Sequence, residues 1–205
     1  MTSIPESSLG DQVGSQAELI VNTLQQTDYQ YTALFDAQNG IYDCDCSAFV
    51  SFVLDSFFPD HYAPVPTDPG HVWPRAFVYY QFLHGLPAES NAGWVQIAAL
   101  RDVRRGDLIA WQLPLEAGHD TGHVFFAAET PRADASGIFV LHVYDSADRA
   151  HFDDTRSSGP FSSGVGSGFI NFEVDDAGAP TAFQFAPGEE FVPIPIAIGR
   201  LSPIS

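Results

Sequence analysis

The sequence predicts an α+β domain, with helices first and an antiparallel-looking sheet after them. Two observations carry this. The apolar period switches from helical to strand-like near the middle of the 205-residue chain, and no composition break marks a linker. A chain of this length is expected to form one well-buried core. Residues 1–205 are therefore read as a single domain, with a core over 15–150 and a β-rich C-terminal extension over 151–205.

Residues 1–12 are polar and read as a loose arm. Over 15–34, Leu19, Ile20, Leu24 and Tyr31 recur at roughly helical spacing. The clearest helix is 46–58, where Cys46, Phe49, Val50, Val53, Leu54 and Phe57 share one face. Asp45 or Asp43 stands at its cap position and Pro59 ends it. Residues 60–74 read as a loop, and 75–85 as a short helix closed by Gly85. The second half supplies short β-rich runs at 107–113, 122–128, 137–144, 168–174 and 181–185. A last run at 191–198 contains Pro193 and Pro195, which assigns it to an edge or to irregular chain. The glycine- and serine-rich stretch 157–168 reads as loop.

Composition excludes several functions. Aspartate and glutamate number 26 against 8 basic residues, all arginine, for a formal charge of −18. No basic stripe exists on which a phosphate backbone could lie, so nucleic-acid binding is not expected. Anionic membrane surfaces are disfavoured for the same reason. The apolar runs are strand-sized, well short of a membrane span. With no export signal legible at the start, the chain as written reads as cytoplasmic. The two cysteines, 44 and 46, are too close to make a stabilising staple and too few for a four-cysteine metal knuckle.

The chemistry is expected at Cys46. A cysteine that opens a helix faces unpaired backbone N–H groups, which favour thiolate. Asp43 and Asp45 oppose this, so a partner histidine is required. Among seven histidines, His123 follows Gly122 at the start of an apolar strand and is the best placed. His142, on a later strand, is the expected third member of a triad, with Asp145 as the alternative. Tyr31 or Tyr42 could add a hydroxyl donor for an oxyanion, beside the Cys46 backbone N–H. Ser47 sits next to the thiol but is not expected to be the nucleophile, because a hydroxyl needs stronger activation. His119, Asp120 and Arg156 are read as a substrate rim, Arg156 as a grip for a carboxylate. A rival reading gathers His119, His123 and His142, with Asp120 or Cys46, around zinc. The thiol reading requires neither metal nor cofactor.

The run Asp45-Cys46-Ser47-Ala48-Phe49-Val50 resembles the nucleophile motif of the NlpC/P60 cysteine peptidases. Gly106-Asp107-Leu108 resembles that family's strand entry, Gly122-His123-Val124 its histidine motif, and Leu141-His142-Val143 sits where it places a third, polar residue. The order agrees across about residues 25–150. Ala48 stands where the family usually has glycine, and ADASG at 133–137 lengthens the gap between the two histidines. The resemblance implies a papain-like core with N-terminal helices packed on an antiparallel sheet. It also implies hydrolysis of an amide bond in a small peptide, of the D-γ-glutamyl or diaminopimelyl type found in cell walls, through an acyl-enzyme. Acyl transfer to another amine shares that first half, and a non-catalytic binding protein on the same fold is the alternative from another class.

Overall fold

The computed structural model describes residues 8–115 and 120–204. Among them the chain runs α1 (Leu9–Thr23), β1 (Leu34–Asp36), β2 (Ile41–Asp43), α2 (Cys46–Phe57), α3 (Pro59–Tyr62), α4 (Ala76–His84), β3 (Trp94–Gln96), β4 (Leu108–Gln112), β5 (Gly122–Ala127), β6 (Arg132–Ala133), β7 (Phe139–Ala147), α5 (Thr155–Ser158), β8 (Gly164–Val174), β9 (Pro180–Gln184), β10 (Val192–Pro193) and β11 (Ile196–Leu201). No helix among the described residues is long and apolar enough to cross a membrane.

The mixed α+β architecture follows the expected order of helices and strands. Helix α1 starts earlier than the sequence pattern suggested, because Ser8 and Asp11 form a reciprocal capping box. It ends at Thr23, so the span 24–34 is not helical as expected. Helix α2 forms where the sequence pattern placed it, except that Phe57, expected on its buried face, is its last residue and is 45% exposed. The Asp45 side chain accepts from the Ala48 N–H at 2.7 Å, and Cys46, Phe49, Val50, Val53 and Leu54 are buried. Full burial of each large apolar side chain contributes roughly 1.5–3 kcal/mol, which fixes this helix on the sheet.

The main sheet has the order β10-β9-β8-β7-β5-β4-β11-β3, with β6 also on β7, and its pairings are antiparallel. One face packs against α1, α2 and α4 through Val124, Phe126, Leu108 and Tyr144. The other face buries Trp111, Phe125, Leu141, Val143, Phe172 and Phe183. The sheet curls over this second core. Phe183 on β9 stacks on Trp111 of β4 at 4.0 Å between ring centroids, although β8, β7 and β5 lie between them in the sheet.

Residues beyond 150 are woven into this sheet. Strand β8 pairs with β7 along the whole length of β7, and β11 lies between β4 and β3. The proline-containing run divides: β10 is an edge strand, as expected, whereas the chain past Pro195 becomes internal. Part of the stretch read as loop, 164–168, is strand. Its glycines answer to packing. A side chain at Gly166 would strike Arg156, and one at Gly168 would strike Asp154.

Candidate active site

The Gly-Asp pair before β4 serves architecture. Asp107 is fully buried. It accepts from the Arg104 N–H and from two nitrogens of Arg200, each at 2.8 Å, tying the entry of β4 to β11. Burial pushes its carboxyl up, and Arg200 pulls it back.

Helix α2 delivers Cys46 to the middle of β5. The sulfur is deeply buried, and Cys46 lines a cavity of about 250 Å³ with Tyr29, Tyr31, Asp45, Asp120 and Gly122. Helix α2 packs on β5, the strand that carries His123, and the Val124 amide that follows the histidine favours the ionised sulfur. Gly122 allows this strand start. Its φ is +132°, and a Cβ there would meet the Trp111 carbonyl.

The environment keeps the resting thiol protonated. Burial raises Cys46 first, the Asp45 charge adds to it, Asp120 and Asp145 add less, and the Val124 amide works the other way. The helix N-terminus therefore does not by itself produce the thiolate expected from the sequence. A base must take the proton as the sulfur reacts.

His123 is 7% exposed. Its Nε2 lies 2.7 Å from Oδ2 of Asp145, and its ring packs beside Trp111 and Phe185. A second cavity of about 230 Å³ lies against it, lined also by Tyr29, Tyr31 and Asp120. These three residues border the cysteine cavity as well, so the two cavities adjoin. With Nε2 committed to a carboxylate, the remaining nitrogen, Nδ1, is the one left to exchange a proton.

Asp145, the alternative third residue, is thus the partner of His123, and His142 is not. Strand alternation is the physical reason. His142 and Asp145 are three residues apart on β7 and face opposite sides of the sheet. His142 Nε2 meets Ser167 Oγ at 2.5 Å, and its ring stacks on Phe169. Burial pushes the His142 imidazole down.

Asp145 is fully buried and still ionised. Burial alone would raise it, but Arg156 and His151 beside it hold the carboxyl well below the usual range. Arg156 donates to Asp145 Oδ1 at 2.8 Å, to both oxygens of Asp154, and to the Gly164 carbonyl. It is only 5% exposed. The substrate-rim role expected for Arg156 is therefore corrected: its guanidinium is consumed inside the molecule.

The remaining expected residues divide. Tyr31 is 74% exposed and borders both cavities. Tyr42 is corrected to a core position, buried against Phe35 and Phe52. Ser47 lines the cysteine cavity, but its hydroxyl donates to Asp45 at 2.9 Å. Asp120 borders both cavities and accepts from the Gly122 N–H. His119 lies outside the described residues. Cys44 is buried and free.

Sequence reasoning missed Tyr29, which borders both cavities. Burial first, then the nearby Cys46 and Asp45, raise its hydroxyl, which leaves it a protonated donor. It also missed His151, whose Nε2 lies 2.7 Å from the same Asp145 oxygen. No family model, curated protein or solved structure matches the chain.

The rival zinc set does not come together among the described residues, because His142 meets Ser167 on the opposite face from His123. A different trio, His123, Asp145 and His151, has its ligand atoms within 4.8 Å of one another. Both imidazole Nε2 atoms there are engaged by Asp145, and the Arg156 charge sits on its other oxygen. That charge opposes a cation.

Proposed function

We propose that the protein is a cysteine-nucleophile hydrolase of an amide bond in a small peptide, with Cys46, His123 and Asp145 as its acting groups. The observation that carries this reading is the His123 Nε2 to Asp145 Oδ2 contact of 2.7 Å, made from the strand against which the Cys46 helix packs. A papain-like core of the NlpC/P60 kind belongs to the same proposal. The motif order and the helix that begins with its cysteine on a histidine-bearing strand support it.

In the proposed reaction, His123 Nδ1 takes the thiol proton as Cys46 Sγ attacks the amide carbonyl. The tetrahedral oxyanion is met by the Cys46 backbone N–H, which has no acceptor within its helix, and by the Tyr29 hydroxyl. Asp145 holds the ring and stabilises the imidazolium. His123 then returns the proton to the leaving amine, and water releases the acyl group. The substrate class proposed is a D-γ-glutamyl or diaminopimelyl-type peptide.

Incubating such peptides with wild type and with Cys46→Ala tests the reading. Cleavage by wild type alone supports it. Cleavage by both proteins removes Cys46 from the chemistry. Trapping of the acyl group by an added amine in place of water identifies a transferase. Stoichiometric peptide binding with no turnover identifies a binding protein.

A further inference from the structure

We propose that His151 is a positioning residue, which fixes the Asp145 carboxylate for His123; this rests on the thiol-hydrolase reading above. The argument starts from a closed ring of hydrogen bonds. Asp145 Oδ2 accepts from His151 Nε2 at 2.7 Å. The His151 backbone N–H donates to Asp154 Oδ2 at 2.9 Å. Asp154 is bound by the Arg156 side chain at 2.7 and 2.8 Å. Arg156 closes the ring on Asp145 Oδ1 at 2.8 Å. Turning the carboxylate therefore breaks at least one charge-assisted bond. Among the described residues, His123 is the one side-chain hydrogen-bond partner of Asp145 that lies outside the ring.

A second observation separates His151 from mere filler. Its ring is fully buried, it packs edge-on against Phe185 at 4.1 Å, and its Nδ1 has no hydrogen-bond partner among the described residues. Stranding a buried polar nitrogen costs stability. Phenylalanine would fill this space without that cost. The fold retains an imidazole here, and its one productive bond is the Nε2–H donated to Asp145. That bond occupies one side of Oδ2 and leaves the other for His123 Nε2–H. His123 is thereby held in the tautomer with a free Nδ1.

The inference predicts that stability and chemistry separate at this position. The probes are His151→Phe, which keeps the volume and removes the donor, and His151→Gln, whose side-chain amide can replace the Nε2–H. Asp145→Asn and His123→Ala serve as references. For each variant one measures the rate of Cys46 modification by iodoacetamide, the Tm, and the nitrogen resonances of the His123 ring.

The expected result for His151→Phe is a rate more than about tenfold slower, a Tm unchanged or higher, and a His123 resonance shifted towards a mixture of tautomers. His151→Gln should recover part of the rate and the resonance. A wild-type rate and resonance in His151→Phe, with Asp145→Asn slow, overturns the positioning role and leaves the hydrolase reading intact. Loss of rate and Tm together, without recovery in His151→Gln, overturns it too, as a packing effect. Wild-type rates in both reference variants remove the hydrolase reading and this inference with it.

Discussion

His123 and Asp145 meet across neighbouring strands, imidazole nitrogen to carboxylate oxygen, at 2.7 Å, with the carboxylate fully buried. Such a pair orients the ring and stabilises its charged form. Asp145→Asn keeps the shape and removes the charge. It should slow Cys46-dependent chemistry by roughly 10²–10⁴-fold. His142→Ala, on the opposite face, should change the rate by less than a factor of about two, because among the described residues its ring meets Ser167, Tyr144 and Phe169 and not His123. Single-turnover rates of the two variants check the assignment. The reverse order of effects restores His142.

The buried charges at this site also set acid stability. The Asp145 carboxyl is held well below the range it has in an unfolded chain. A depressed group contributes stability that is present above the unfolded value of about 3.9 and is lost as pH falls through the folded value. Asp45 and Asp107 are raised by burial and act with opposite sign. Their contribution is present below pH of about 4 and is lost as pH rises through their folded values. Denaturant titrations should therefore show Asp145→Asn losing less stability than wild type on going from pH 4 to pH 2.

Arg156 is the counter-charge for two buried carboxylates. Replacing it with methionine leaves Asp145 and Asp154 together without a cation, and removing one member of a buried pair typically costs about 3–5 kcal/mol. Urea unfolding of Arg156→Met should show a loss of that order at neutral pH. A loss below about 1 kcal/mol, the size of an exposed pair, contradicts the burial described here.

Gly122→Ala places a Cβ against the Trp111 carbonyl at a φ of +132°. The strain costs about 1–3 kcal/mol, and each kcal/mol lowers Tm by roughly 2–4 °C in a domain of this size. Cys46 reactivity should fall with it, since the same strand start carries His123. Tyr29→Phe should do the opposite: leave Tm near wild type and slow turnover by about 10²–10³-fold, the loss typical of one oxyanion donor.

Much of this site was legible because its signals are local. A cap at Asp45, a helix that opens on Cys46, and Gly122 before His123 each express a short-range rule. The third residue was not legible in the same way. Leu141-His142-Val143 and Asp145 lie on one strand, and the choice between them depends on which face of the sheet meets β5. That is set by pairing over long sequence distance, so the sequence pattern alone does not tell that Asp145, rather than His142, contacts His123. Arg156 shows the same limit. In sequence it sits in a polar run that reads as surface. In the fold, Gly166 and Gly168 open a slot for its ion pair with Asp154, and their spacing of two on a strand was the one available hint. Tyr29 gave no hint, because three tyrosines upstream of the helix are equivalent until the chain is folded.

The most direct measurement is the rate of Cys46 alkylation as a function of pH, in wild type and in His123→Ala. Burial and the Asp45 charge raise the thiol well above its ordinary value, so a sulfur without its base should react only when the solution is strongly alkaline. With His123 present, the reaction should proceed near neutral pH, and the histidine variant should be slower there by at least about tenfold. Superimposable pH profiles for the two proteins would mean that the imidazole does not serve the sulfur.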